Sequence, residues 1–248
     1  MSRCALRSSL IACFMVVASV SLPVLAHEIA SPLKASQAPV IFGAEDAASE
    51  MGADYIRFED RAYILSSAVW DTRYIPVCWE ADYADKQAIQ WVRDAVARTW
   101  QAESQLDFGG WGKCAANANG IRIEVSEDGP HTKGLGKKLD KKPSGMVLNF
   151  AFTSWSPSCT DESARQRCIE SIAVHEFGHA LAFSHEQNRP DTPGECAKRR
   201  QGSDGDLLLT SYDPDSVMNY CNSKYNNDGK LSPLDIKAVR ALYGEPMP

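Results

Sequence analysis

No Cys-x-x-Cys pair occurs in the 248 residues, so the eight cysteines lack the spacing by which thiolates usually hold a structural metal. There is no excess of positive charge either. The chain has 26 Lys and Arg against 32 Asp and Glu, a net charge of −6, which argues against nucleic acid as a partner. Lys133, Lys137, Lys138, Lys141 and Lys142 do cluster, but without interleaved aromatics they read as a solvated loop. Past residue 26 no apolar run approaches the roughly 18–20 residues of a membrane span. No cysteine lies between Ala26 and Cys78, which excludes an N-terminal thiolate that silences a metal. Histidine is scarce, and the placement of the few there are is the most informative feature of the chain.

Three of the five histidines fall in the run His175-Glu176-Phe177-Gly178-His179-Ala180-Leu181-Ala182-Phe183-Ser184-His185. His175 and His179 are four apart, so on a helix their rings share a face. His185 is too distant for the same turn. The helix must end, and the chain must fold back to bring up a third imidazole. Three neutral nitrogens around one Zn²⁺, with the fourth position open, make a catalytic site rather than a closed structural one. Glu176 sits beside the ligands, where a general base belongs.

The run resembles the extended zinc signature of the metzincin metalloproteases, and Glu186-Gln187-Asn188-Arg189-Pro190-Asp191 is similar to its astacin branch. One position departs: the family glycine falls at 182, where this chain has alanine. If the turn there is left-handed, the Cβ costs roughly 1 kcal/mol. Downstream, Ser216-Val217-Met218-Asn219-Tyr220 resembles the methionine turn of these enzymes. The resemblance implies Met218 packed beneath the zinc and Tyr220 as a site residue that ligates the metal or stabilises the oxyanion. It also implies that Asn149, Phe150 and Ala151 lie on an antiparallel edge strand that binds extended substrate. Glu186 is implied as a partner of the processed N-terminus. The implied fold is α+β: a twisted, mostly parallel sheet with an antiparallel edge strand, an active-site helix, and a small C-terminal subdomain ending in a helix.

Residues 1–26 read as a signal peptide, with Arg3 and Arg7 ahead of an apolar stretch and small residues at the cleavage site. Leu10-Ile11-Ala12-Cys13 formally resembles a lipoprotein box, but too little apolar chain precedes the cysteine. Without the leader the balance is 24 basic to 32 acidic residues, near −8. The expected protein is exported, secreted or periplasmic, and a monomer with no membrane span. Six cysteines remain, an even number that suits disulfides in an oxidising compartment. Fifteen pairings are open. The expected set is Cys159–Cys168, Cys196–Cys221 and, by elimination, Cys78–Cys114.

Residues 27–68 read as a pro-segment or N-terminal extension, within which Glu45 or Asp46 is a candidate zinc cap. The protease domain is expected over 69–248, with an upper part 69–185 and a lower part 186–248. Strands are expected near 73–79, 106–108, 121–125 and 146–152, and helices over 84–103 and 162–182. Ser232, Pro233 and Asp235 mark the start of a last helix that Gly244 stops. Asn226-Asn227-Asp228-Gly229 suggests a calcium loop, but Lys224 would then fill the first ligand position of an EF-hand. That site is rejected, and calcium is otherwise open. The expected activity is zinc-dependent hydrolysis of peptide bonds in a protein or peptide substrate. An inactive peptide-binding module and a zinc hydrolase of another substrate are the alternatives.

Overall fold

The computed structural model describes residues 62–247. The expected leader, the candidate caps Glu45 and Asp46, and most of the 27–68 segment lie outside them. In chain order the strands are β1 (Tyr63–Ile64), β2 (Tyr74–Trp79), β3 (Asp107–Lys113), β4 (Ile121–Val125), β5 (His131–Thr132), β6 (Met146–Leu148) and β7 (Leu207–Leu208). The α-helices are α1 (Lys86–Val96), α2 (Glu162–Ala180) and α3 (Pro233–Tyr243). None of them is long and apolar enough to cross a membrane.

Five strands form one sheet in the order β3-β2-β4-β6-β5. All pairings are parallel except β5 with β6. Ile75, Val77, Ile121, Ile123, Met146 and Leu148 line one buried face of the central strands, and Cys78, Arg122 and Val147 are buried on the other, so both faces are covered, as parallel sheets require. α1 starts where Asp85 accepts a 2.9 Å hydrogen bond from Ala88 N. Ala88, Val92, Ala95 and Val96 form its buried stripe. A π-helical turn, Ala97–Gln101, then seats Trp100 wholly in the core, stacked on Phe183 at 5.3 Å. Three disulfides form, and they are the expected pairs: Cys78–Cys114, Cys159–Cys168 and Cys196–Cys221.

Two expectations need correction. The antiparallel edge strand is β5, a two-residue element, and β6 is an inner strand. Asn149, Phe150 and Ala151 have already left it. The Asn149 side chain accepts hydrogen bonds from Ala151 N at 3.0 Å and Phe152 N at 2.7 Å, which turns the backbone away. Arg165 Nε takes the Phe150 carbonyl at 2.7 Å, so that group is not offered to a substrate strand. Residues 62–68, assigned above to the N-terminal extension, also belong to the folded unit. β1 pairs with β7, Tyr63 O accepts from Ser184 N at 2.9 Å, and Leu65 N donates to Ala182 O at 3.0 Å.

Candidate metal centre and active site

α2 carries the first two histidines and then stops in a Schellman motif. Phe183 N donates to Gly178 O and Ala182 N to His179 O, each at 3.0 Å. The motif needs a left-handed residue after the helix, and Ala182 takes it at φ 76°. The alanine therefore turns the chain as glycine would, and β1 clamps the turn from outside. His185 follows at the exit and returns to the other two.

The three rings are buried and their ligand atoms converge. Each Nδ1 is engaged by a backbone carbonyl: His175 with Val217 O at 2.8 Å, His179 with Phe183 O at 2.8 Å, and His185 with Gln201 O at 3.0 Å. A carbonyl only accepts, so each neutral ring must carry its proton on Nδ1. Each Nε2 then presents a bare lone pair. His175 Nε2 lies 3.3 Å and His179 Nε2 lies 3.1 Å from His185 Nε2. Lone pairs do not attract one another at that range. A cation among them resolves the arrangement, and tetrahedral Zn–N bonds of about 2.0–2.1 Å place nitrogens about 3.3 Å apart. The cluster fits a zinc ion. Burial, and the neighbouring His179, push the His175 pKa down to about 3, so the ring stays neutral as a ligand must.

The floor is Met218, almost fully buried. A Cβ on Gly178 would lie 2.4 Å from its sulfur, so glycine at 178 lets the helix rest on the thioether. The Met218 turn is held from behind by Asp235 at the start of α3. Its carboxylate accepts from Ser216 Oγ at 2.7 Å and Val217 N at 2.9 Å. Asp235 also closes the capping box with Ser232, so the cap read from the sequence is one end of the brace under the metal centre.

Glu176 is buried beside His175. Tyr220 stacks on the His175 ring at 5.1 Å and lies 4.5 Å from the His185 ring. Burial holds its phenol well above the ordinary value, and Tyr225 and Glu176 add to the shift. Tyr225, which no sequence motif marks, lies near enough for its charge to bear on Tyr220. Glu186 accepts from Asp213 N at 2.9 Å and faces Arg189 at 3.4 Å. Burial pushes its pKa up to about 8 against the pull of Arg189. Arg189 in turn forks onto Asp191, with both contacts at 2.8 Å.

Among solved structures, that of myroilysin superposes with a TM-score of 0.55 at 18% identity, covering 75% of this chain and all of that one. The likeness is one of fold. High choriolytic enzyme 1, a hatching enzyme zinc-protease from Oryzias latipes, gives a TM-score of 0.49 at 19% identity, covering 73% of this chain and 96% of that one. In sequence, zinc metalloproteinase nas-30 of Caenorhabditis elegans is 31% identical over 108 residues, 30% of this chain. The chain spans only 15% of that relative's length. No protein-family model matches the chain. The myroilysin-like fold thus comes with a histidine cluster whose geometry fits zinc.

Proposed function

We propose that this protein is an exported zinc-dependent endopeptidase. The observation that carries the reading is the set of three Nε2 lone pairs converging beside a buried Glu176, on an astacin-like fold. His175, His179 and His185 would hold zinc, which when bound would supply a Lewis acid for the scissile carbonyl and bring the pKa of a water down to about 7. Glu176 takes the proton from the attacking water and delivers it to the leaving amine. Tyr220, ring against the histidines, keeps its phenol proton and donates a hydrogen bond to the oxygen that gains charge. The open side of β5 ends the sheet and offers backbone groups to an extended peptide. Export rests on the leader-like residues 1–26 and on the three disulfides, which suit an oxidising compartment.

The test is cleavage of casein or gelatin by purified protein, with and without a zinc chelator, beside Glu176→Gln. The chelator should abolish cleavage and added zinc restore it. Glu176→Gln should keep its zinc, measured by metal analysis, and lose at least about 100-fold in rate. A Glu176→Gln protein that cleaves like wild type would refute the mechanism.

A further inference from the structure

Asn226, Asn227 and Asp228 have φ of 45°, 48° and 52°, with ψ of 38°, 35° and 31°. Gly229 follows at φ 69°. This is a full left-handed turn made mostly of L-residues, which disfavour that region by roughly 1–2 kcal/mol each, Asn and Asp least. The turn is tightly held. Gly229 lies so close to α2 that a Cβ would come within 2.9 Å of Ser171 Cα, and Asn226 is buried. Strain that the surroundings enforce concentrates where a chain must place a particular group. The group at the head of this turn is Tyr225.

Tyr225 is 47% exposed, a rare condition for a large apolar side chain among the described residues. The turn packs on α2 at Ser171, one helical turn before His175, which puts Tyr225 beside the histidine-bearing stretch of the helix. Burial, and then the charge of Glu176, hold the phenol far above its ordinary value. Trp155, in the loop after β6, meets the Tyr225 ring at 6.3 Å and a 56° tilt. The buried Phe152 backs Trp155 at 6.3 Å. Two segments far apart in sequence thus bring an aromatic wall to the side of α2 one turn from His175.

Building on the endopeptidase reading, we propose that Tyr225, braced by Trp155, recognises an aromatic or large apolar side chain of the peptide next to the scissile bond. An aromatic face rewards stacking and apolar burial. The charge of Glu176, felt at the Tyr225 phenol, disfavours an acidic side chain there. The ring does the recognising and the hydroxyl is dispensable for it. Tyr225 is a specificity-determining residue, separate from the proton transfers of Glu176.

The experiment uses the full zinc-loaded chain and a set of quenched fluorescent peptides that differ only in the residue beside the cleaved bond: Phe, Leu, Ala, Lys or Asp. Wild type should favour Phe over Ala by at least about tenfold in kcat/KM. Tyr225→Phe should keep that ratio. Tyr225→Ala should collapse it by about tenfold, through KM rather than kcat. In parallel, zinc-loaded Glu176→Gln is titrated by calorimetry with the Phe and Ala peptides, and should bind Phe more tightly by a similar factor. An unchanged ratio in Tyr225→Ala, or a wild-type preference for Lys or Asp, overturns this inference and leaves the endopeptidase standing. Wild type that cleaves none of the peptides or casein, with Glu176→Gln that binds none, overturns the endopeptidase and this inference with it.

Discussion

Residues 62–185 place their apolar side chains on a sheet and two helices; residues 186–247 have one helix and little else that is regular. Among the described residues the large core is drawn mostly from the first region; beyond residue 185 its buried members are Val217, Met218, Ala238, Val239 and Tyr243, with Leu207, Leu209, Leu231 and Leu242 packed against its edge. What the second region buries instead is polar: Glu186, Asn188, Arg189, Asp213, Asn219 and Asp235 are all nearly inaccessible. These groups satisfy one another. Asn188 Oδ1 accepts from Gln201 N at 3.0 Å, Asn219 Nδ2 donates to Asp213 O at 2.9 Å, and Ser232 Oγ bonds Asp213. One region is thus held by apolar area, which is forgiving of small changes. The other is held by a polar network, which is costly to leave half-satisfied.

The sharpest way to break that contrast is one substitution in each region. Arg189→Met takes the guanidinium donors from the buried Glu186, whose raised pKa lets it protonate, and should destabilise by about 1–3 kcal/mol. Ile123→Val deletes one buried methyl from the sheet and should cost about 0.5–1.5 kcal/mol. Urea unfolding of both variants checks the order. Equal losses would mean that the network holds less than its burial suggests.

The same contrast explains what could be read in advance. The His175–His179 spacing, the apolar stripe of α1 and the Ser232–Asp235 cap are local patterns, and each reappears as an element of the fold. The edge strand is different. Whether 146–152 is inner or outer depends on β5, whose two residues, His131 and Thr132, have no period to detect. The buried network is hidden for another reason: Glu, Arg, Asn and Asp ordinarily read as surface, and only the fold shows them pairing with one another. The left-handed turn at 226–229 was in view as a run of Asn, Asn, Asp and Gly, the residues that tolerate positive φ.

A gentler probe uses pH, because the two regions should respond with opposite sign. In the sheet, Arg122 forks onto Glu80 at 3.0 and 2.8 Å and holds its carboxyl below the ordinary value. That contribution is present above the unfolded pKa of about 4.3 and is lost as pH falls through the folded value. Under the methionine turn, burial outweighs the donated hydrogen bonds and pushes Asp235 up to about 6. Its contribution is present below an unfolded pKa of about 3.9 and is lost as pH rises through about 6. Hydrogen exchange followed from pH 7 to pH 4 should show the sheet amides losing protection at the acid end in wild type and less so in Glu80→Gln. Around Val217 and α3, Asp235→Asn should flatten the slope between about pH 4 and 6. Comparing each variant with wild type isolates its carboxyl from the titration of the three histidines. A common slope in both regions, unaltered by either substitution, would show that these carboxyls do not divide the molecule in this way.

The smallest expected effect lies where the two regions join. Ala182 is wholly buried at φ 76°, one turn before His185. Glycine there would relieve roughly 1 kcal/mol of left-handed strain. It would also lose a methyl that packs with Ala68 and Leu135, worth about 0.8 kcal/mol, and would free the unfolded chain by a further 0.4–1 kcal/mol. The terms nearly cancel, so Ala182→Gly should change stability by less than about 1 kcal/mol, on the destabilising side. β1 decides whether this holds, because Leu65 N on Ala182 O, and Tyr63 O on Ser184 N, clamp the turn from outside. With the clamp intact, zinc affinity measured by chelator competition should scarcely move in Ala182→Gly. A clear gain in stability would mean that the alanine is strained well beyond the ordinary cost of its conformation. A clear loss of zinc affinity would mean that the methyl, rather than the strap of residues 62–68, is what aims His185 at the other two histidines.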